Sequence, residues 1–290
     1  AILKKLKYRK APGPDATPTE YYKLLGRRGR QEILHIINQW CAGDDPLPRE
    51  ITTARVVMIF KKGDAMKLSN FRPISLLNTM YKILAGMVHS RIAEAIDKYV
   101  NNLQFGFRAE RGTTEAIAIA RRIADIGRAT NERVNMLLLD WEKAFDKVGH
   151  AALLKALRRM RIHPEMLKIV EMIYRSPCFY TEIEAISSSV RCQRNGIRQG
   201  CPLSPYLFLV VMTAMFHAIH EDPEVKGKIQ RIPNATFAEI FYADDTICLT
   251  GSASSAQRLL RTIERHSERY GMALNYDKCE LIQFNDNGES

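Results

Sequence analysis

The apolar positions change their spacing along the chain. Leu24, Leu25, Ile33, Leu34, Ile36, Ile37 and Trp40 fall at helical intervals and predict helices that end near Gly43. Thr53 to Phe60 is rich in β-formers (Val56, Val57, Ile59), Lys61-Lys62-Gly63-Asp64 reads as a turn, and Phe71 to Leu76 as the returning strand, a hairpin with two lysines at its tip. A buried stripe of Ile83, Met87, Ile92 and Ile96 predicts a helix from about Asn78 to Tyr99, and another is expected from Thr113, read as its N-cap, to Arg128.

From Val134 the pattern becomes continuous: Val134 to Leu139 is an unbroken run closed by Asp140, except for Asn135, as expected of a buried central strand. Helices are predicted at His150–Met160 and Pro164–Arg175, a hairpin at Tyr180–Ile186 and Val190–Arg194, and an apolar helix opened by Ser204-Pro205 and running to His220. Phe237–Phe241 and Thr246–Leu249 read as strands flanking Asp244-Asp245. A helix from Ser254 stops at Gly271, and Leu274–Phe284 is the last β element. This order fits an α+β fold, an antiparallel sheet backed by helices.

Composition narrows the function. Of 290 residues, 46% are apolar and 26% charged, as in a globular chain, and the net charge of +11 favours phosphate-rich partners or anionic membrane surfaces. Residues 1–135 carry 24 Lys and Arg against 13 Asp and Glu, whereas residues 136–290 carry 19 of each, so the whole excess lies in the first half. The longest apolar run, Tyr206–Phe216, is too short for the roughly 20 residues of a bilayer span, so no membrane partner is expected. Six cysteines without C-x-x-C spacing indicate neither a zinc knuckle nor a redox pair, and a reducing, intracellular compartment is the default. His217 and His220 share a helix face, but with no carboxylate or cysteine in register they read as surface residues. The opening at Ala1, with neither initiator Met nor signal core, reads as a segment of something longer.

The chemistry concentrates in carboxylates. Asp244 and Asp245 sit between β-rich flanks at a hairpin tip, where their repulsion calls for solvent or a divalent cation, although Asp-Asp is also an ordinary turn former. Asp140 ends the most apolar strand, a costly place for an unpaired charge. If Asp140 lies beside the 244/245 hairpin in one sheet, three carboxylates converge on a point suited to two Mg²⁺ ions and in-line phosphoryl transfer.

Seven blocks carry a resemblance: Lys10-Ala-Pro-Gly-Pro-Asp15 with Tyr21-Tyr22-Lys23, Asn70-Phe-Arg-Pro-Ile-Ser-Leu76, Gln104-Phe-Gly-Phe107, Asp140-Trp-Glu-Lys-Ala-Phe-Asp146, Gly196-Ile-Arg-Gln-Gly-Cys-Pro-Leu-Ser-Pro205, Tyr242-Ala-Asp-Asp245, and Gly271-Met-Ala-Leu-Asn275 with Lys278. In this order the chain resembles the reverse transcriptases, and within them the non-LTR (LINE-type) retrotransposon branch, with group II intron maturases as the nearest relatives. The resemblance implies a right-hand polymerase fold with fingers at residues 1–133 and a palm at 134–290, interleaved around 176–204. The thumb is expected outside this chain, since nothing after Phe284 resembles it.

The same resemblance implies roles. Asp140, Asp244 and Asp245 match the metal-holding carboxylates, for two Mg²⁺ ions with Mn²⁺ as a substitute. Phe145 matches the aromatic that excludes a ribose 2′-hydroxyl. Gln199 matches the glutamine at the incoming nucleotide, with Gly200 allowing close backbone approach. Lys61 (or Lys62) and Arg72 match residues gripping the triphosphate, Lys278 a lysine near the leaving pyrophosphate, and Tyr242 a residue at the primer end. Arg198 reads equally well as a solvated charge, and Trp141 is bulky without an evident reason. The implied partners are an RNA template, a DNA primer and dNTPs, with an endonuclease elsewhere in the protein and a nuclear or cytoplasmic ribonucleoprotein as its setting. Two other classes compete. A non-catalytic RNA-binding module would be marked by loss of a carboxylate, and all three are present; an RNA-dependent RNA polymerase would have to admit the 2′-hydroxyl, which the bulk of Phe145 opposes.

Overall fold

A computed structural model of the chain describes residues 1–43, 45–183, 186–233 and 235–285. Its strands are β1 (Thr53–Phe60), β2 (Phe71–Leu76), β3 (Val134–Leu139), β4 (Cys178–Ile183), β5 (Ile186–Ser187), β6 (Arg191–Cys192), β7 (Glu239–Tyr242), β8 (Asp245–Thr250) and β9 (Glu280–Phe284). The chain divides into two compact units, one of residues 1–97 and 161–206, the other of residues 98–160 and 207–290. The first holds 23 Lys and Arg against 13 Asp and Glu, the second 20 against 19, so nearly the whole basic excess belongs to the first unit.

In the first unit β1 pairs antiparallel with β2 and parallel with β4, and β4 pairs antiparallel with β5 and β6. The parallel β1–β4 pair accompanies the return of Arg161–Tyr206 to the first unit. The β1–β2 connection is also longer than a tight turn: Lys61 N–H donates to Asn70 O (2.9 Å), and a 3-10 turn at Leu68–Asn70 leads into β2. The helix Thr79–Ile96 buries Ile83, Leu84, Val88, Ile92 and Ile96, and the last turn expected to be α-helical is a 3-10 turn at Asp97–Tyr99.

The second unit is built on a fully antiparallel sheet in the order β7-β8-β3-β9. β3 is central, which explains its apolar run: Val134 and Met136 pack with Ile123, Ile232 and Leu249. Ile123 lies on the helix Thr113–Ala129, whose N-cap is Gly112 rather than Thr113; the Gly112 N–H donates to the Glu115 carboxylate (2.8 Å). The helix Ala253–Glu268, buried through Ala256, Leu259, Thr262, Ile263 and His266, packs on β8 and β3. The apolar run after Pro205 forms the helix Ser204–His220, in which Leu207 to Val211 are wholly buried, the mark of a core helix. Among the described residues no helix is long and apolar enough to cross a membrane.

One hub ties this helix pair together. Asp222 accepts from His266 Nε2 (2.7 Å), Arg265 Nη2 (2.9 Å) and the Glu224 N–H (3.0 Å). The His266 hydrogen bond first, then the Glu224 N–H and the Arg265 guanidinium, hold its carboxyl down at about 2. A depressed carboxylate stabilises the fold above its unfolded pKa, and this contribution is lost as pH falls from about 4 towards 2. Asp222→Asn is therefore expected to lose on the order of 1 kcal/mol at neutral pH and to flatten the acid limb of stability against pH, read by denaturant unfolding at stepped pH. An unchanged acid limb would remove Asp222 as its source.

Candidate active site

The register of the β3–β8 pair assembles the site. Leu139 pairs with Thr246, the last pair of the register, so Asp140 and Asp245, the next residue on each chain, both lie at the end of the sheet where the β7–β8 turn projects. Tyr242 pairs with Asp245, so only Ala243 and Asp244 form the turn, and Ala243 takes φ +59°. The three carboxylates thus belong to one corner of one unit. Partial burial, then the charges of Asp244 and Asp140, raise the Asp245 carboxyl above the ordinary carboxylate range, although its side chain reaches solvent.

Asp140 is held from several sides. Asn275 Nδ2 donates to its Oδ2 (3.0 Å), Lys278 Nζ lies 3.5 Å from the same oxygen, and the Asn275 N–H donates to its main-chain carbonyl (2.8 Å). Glu142 N–H donates to Ala273 O (2.9 Å), so the Gly271–Asn275 block runs alongside the residues that follow β3. This explains why the last β element begins only at Glu280: residues 273–275 brace Asp140, and a 3-10 turn at Tyr276–Lys278 intervenes. Trp141, left without a reason by the sequence, is buried behind the site, its Nε1 donating to Thr246 Oγ1 (3.3 Å). This bond joins the residue after Asp140 to the β8 residue after Asp245.

Phe145 follows Lys143, which takes φ +48°, in the short helix Ala144–Lys147. Its ring stacks on Phe208 (4.7 Å between centroids, 15° between planes) and meets the edge of Phe107 (6.0 Å, 83°), and the residue remains partly exposed. Tyr242 is half-buried at the end of β7. Asp140, Asp244, Asp245, Phe145, Tyr242 and Lys278 are therefore all residues of the second unit.

The remaining sequence-predicted residues belong to the first unit. Lys61, Lys62 and Arg72 are exposed around the β1–β2 connection, Arg72 paired in register with Ile59. Gln199 O accepts from the Ser75 N–H (2.8 Å), which fastens the Arg-Gln-Gly loop to β2. Gly200 takes φ +114°, and a Cβ there would lie 2.5 Å from Ser75 O, so the close approach it permits in this structure is to β2. Arg198 is not a solvated charge: it is buried, donates from Nη2 to Cys178 O (3.1 Å) and lies over the Tyr81 ring (5.5 Å). His220 likewise has a carboxylate partner that sequence spacing did not reveal, the buried Glu239 on β7, whose hydrogen bond raises the imidazole above its ordinary range.

Among the described residues no three His, Cys, Asp or Glu side chains close into a preformed metal cage. The residues nevertheless fit Mg²⁺. Mg²⁺ takes one or two carboxylates and completes its shell with water and substrate phosphate, and an all-oxygen corner whose charges disfavour ionisation of Asp245 gains from a divalent cation.

Comparison with known proteins decides the family. Residues 59–286 match the family model described as reverse transcriptase (RNA-dependent DNA polymerase). The chain belongs to the reverse transcriptase family. Over 98% of its length it is 26% identical to the RNA-directed DNA polymerase from mobile element jockey of Drosophila melanogaster, and over 97% it is 26% identical to a Pol polyprotein from a type-1 R2 retrotransposable element of Nasonia vitripennis. It spans 31% and 26% of those two proteins. Among solved structures it is similar to apo telomerase from Candida tropicalis, with a TM-score of 0.60 and 15% identity over 88% of this chain and 54% of that one. This reverse transcriptase domain is thus of the LINE type, its fold is the α+β right-hand polymerase fold, and its family, of nucleotidyltransferases, uses divalent metal ions and nucleic-acid substrates.

Proposed function

We propose that this reverse transcriptase domain supplies the fingers and palm of a non-LTR retrotransposon protein that extends a primer 3′-hydroxyl with dNTPs on an RNA template. The observation that carries this reading is the β3–β8 register, which ends with Leu139 opposite Thr246 and so brings Asp140 to the end of the sheet that holds Asp245 and the Ala243-Asp244 turn, close enough for the charges of Asp140 and Asp244 to act on Asp245. Asp140, Asp244 and Asp245 would hold two Mg²⁺ ions, for which Mn²⁺ substitutes. When bound, these ions supply the Lewis acidity that activates the primer hydroxyl and neutralises the leaving pyrophosphate. Asn275 and Lys278 hold the Asp140 carboxylate in place, and Lys278, a cation 3.5 Å from it, would meet the leaving pyrophosphate. Phe145, fixed between Phe107 and Phe208, presents a ring against which a 2′-hydroxyl would clash, and Tyr242 lies towards the primer end.

The basic first unit is proposed to hold template and triphosphate through Lys61, Arg72 and Gln199, with Gly200 shaping the loop that carries Gln199. Planar guanidinium suits phosphate oxygens, and an excess of 23 over 13 charges suits a nucleic-acid backbone. The full-length protein would carry the thumb and an endonuclease outside this chain and work in a nuclear or cytoplasmic ribonucleoprotein. Primer extension by the full-length protein tests the reading. Incorporation of dNTPs should require the RNA template, stop on chelation of divalent ions, and weaken steeply with added salt. RNA binding that survives with no incorporation in Mg²⁺ or Mn²⁺ would instead identify an RNA-binding module.

A further inference from the structure

Of the Gln104-Phe-Gly-Phe107 block only Phe107 has a part in the chemistry above, yet the block touches both the carboxylate turn and Phe145. Gln104 is only 2% exposed. Its Oε1 accepts from the Ala243 N–H (2.9 Å) and from the Gly106 N–H (2.8 Å), and its Nε2 donates to Ala243 O (3.2 Å). The backbone on either side is fastened too: Phe105 N–H donates to Phe241 O and Phe241 N–H to Leu103 O, each at 2.9 Å. Gly106 permits this fit, since a Cβ there would lie 2.2 Å from the Ala243 nitrogen.

Ala243 takes the left-handed conformation, φ +59°, which an alanine adopts only against a steric penalty. Gln104 binds both polar groups of that residue. The Ala243 carbonyl lies in the same peptide plane as the Asp244 N–H, so the Gln104 amide fixes the plane from which Asp244 projects. Phe107, two residues beyond Phe105, meets the Phe145 ring.

We propose that Gln104 is a positioning residue for Asp244: its side-chain amide holds the Ala243-Asp244 peptide in the one orientation that turns the Asp244 carboxylate towards Asp140. This rests on the reading that Asp244 holds a catalytic metal. Outer contacts that orient a metal ligand typically contribute tenfold to a hundredfold in metal affinity or activity, and Gln104 acts on Asp244 through one peptide.

The test uses the full-length protein with Gln104→Ala, Ala243→Gly, the double variant and Asp244→Asn, with Mn²⁺ binding followed by electron paramagnetic resonance and primer extension followed at stepped Mg²⁺. Gln104→Ala is expected to weaken Mn²⁺ binding and raise half-saturating Mg²⁺ about tenfold, with kcat lowered more than KM for dNTP. Ala243→Gly in the same chain should recover much of this loss, because glycine adopts φ +59° unaided. A purely structural role would lower the melting temperature without moving the metal dependence. If Gln104→Ala does not fold, Gln104→Glu, which keeps the acceptor and loses the donor to Ala243 O, is read in its place.

Wild-type Mn²⁺ affinity and Mg²⁺ dependence in a folded Gln104 variant would overturn the proposal, as would a loss that Ala243→Gly leaves untouched. Asp244→Asn separates the two readings. If it keeps wild-type metal binding and extension, the carboxylate assignment fails; if it loses both while Gln104→Ala loses neither, only the role of Gln104 fails.

Discussion

Asp244→Asn is expected to lower RNA-templated primer extension by about 10³-fold or more, since a bound metal contributes several kcal/mol of charge stabilisation and each 1.36 kcal/mol is tenfold in rate. The substitution is nearly isosteric, so the β7–β8 turn should persist: the turn is held through Ala243 and Gln104, neither of which it touches. It also relieves repulsion, because after burial the charge of Asp244 does most to raise the Asp245 carboxyl. A melting temperature at or slightly above wild type, combined with lost extension, is therefore the expected pair of results. Asp140→Asn should behave alike in activity, but asparagine forfeits the ion pair with Lys278. Wild-type rates in either variant, with dNTP incorporation followed in single-turnover reactions, would remove that carboxylate from the metal site.

How far the sequence reaches can be judged from the same residues. β3 ending in Asp140, and the paired aspartates between two strands, were legible because burial on both faces leaves an apolar run interrupted only by Asn135 and a turn leaves its polar residues at the tip. What binds the carboxylates in place was not legible. Gln104 meets Ala243 across 139 positions and Asn275 meets Asp140 across 135, contacts made by side-chain amides that impose no period on the sequence. Trp141 offered a signal, since a large indole beside a charged strand end must find a partner for its N–H, and Thr246 is that partner. Arg198 and His220 misled for one reason: both carry groups usually solvated, and their partners, the Cys178 carbonyl and Glu239, lie on separate strands that no periodic spacing links to them. The parallel β1–β4 pair was hidden likewise, because two strands 118 or more residues apart share no turn to announce their pairing.

Phe145→Ala is expected to lower the preference for dNTPs over rNTPs by about 10- to 100-fold, the worth of a steric clash of 1–3 kcal/mol once its cause is removed. The geometry makes this clash firm rather than yielding. Stacked on Phe208 at 4.7 Å and met at the edge by Phe107 at 6.0 Å, the ring has packed neighbours on two sides, so a ribose 2′-hydroxyl would not simply push it aside. Phe208 is wholly buried in the core helix Ser204–His220, which makes it a fixed backing. The effect should fall mainly on kcat/KM for rNTPs, with that for dNTPs changed only a few-fold, because the alanine removes an obstacle and leaves the carboxylates in place. Phe145→Tyr should keep the discrimination, since it retains the ring between the same neighbours. Phe107→Ala should give a smaller loss than Phe145→Ala, because it frees one side of the ring while Phe208 still backs it. If Phe145→Ala leaves the ratio of dNTP to rNTP kcat/KM unchanged, the ring is a core contact of the palm and sugar selection must come from another residue.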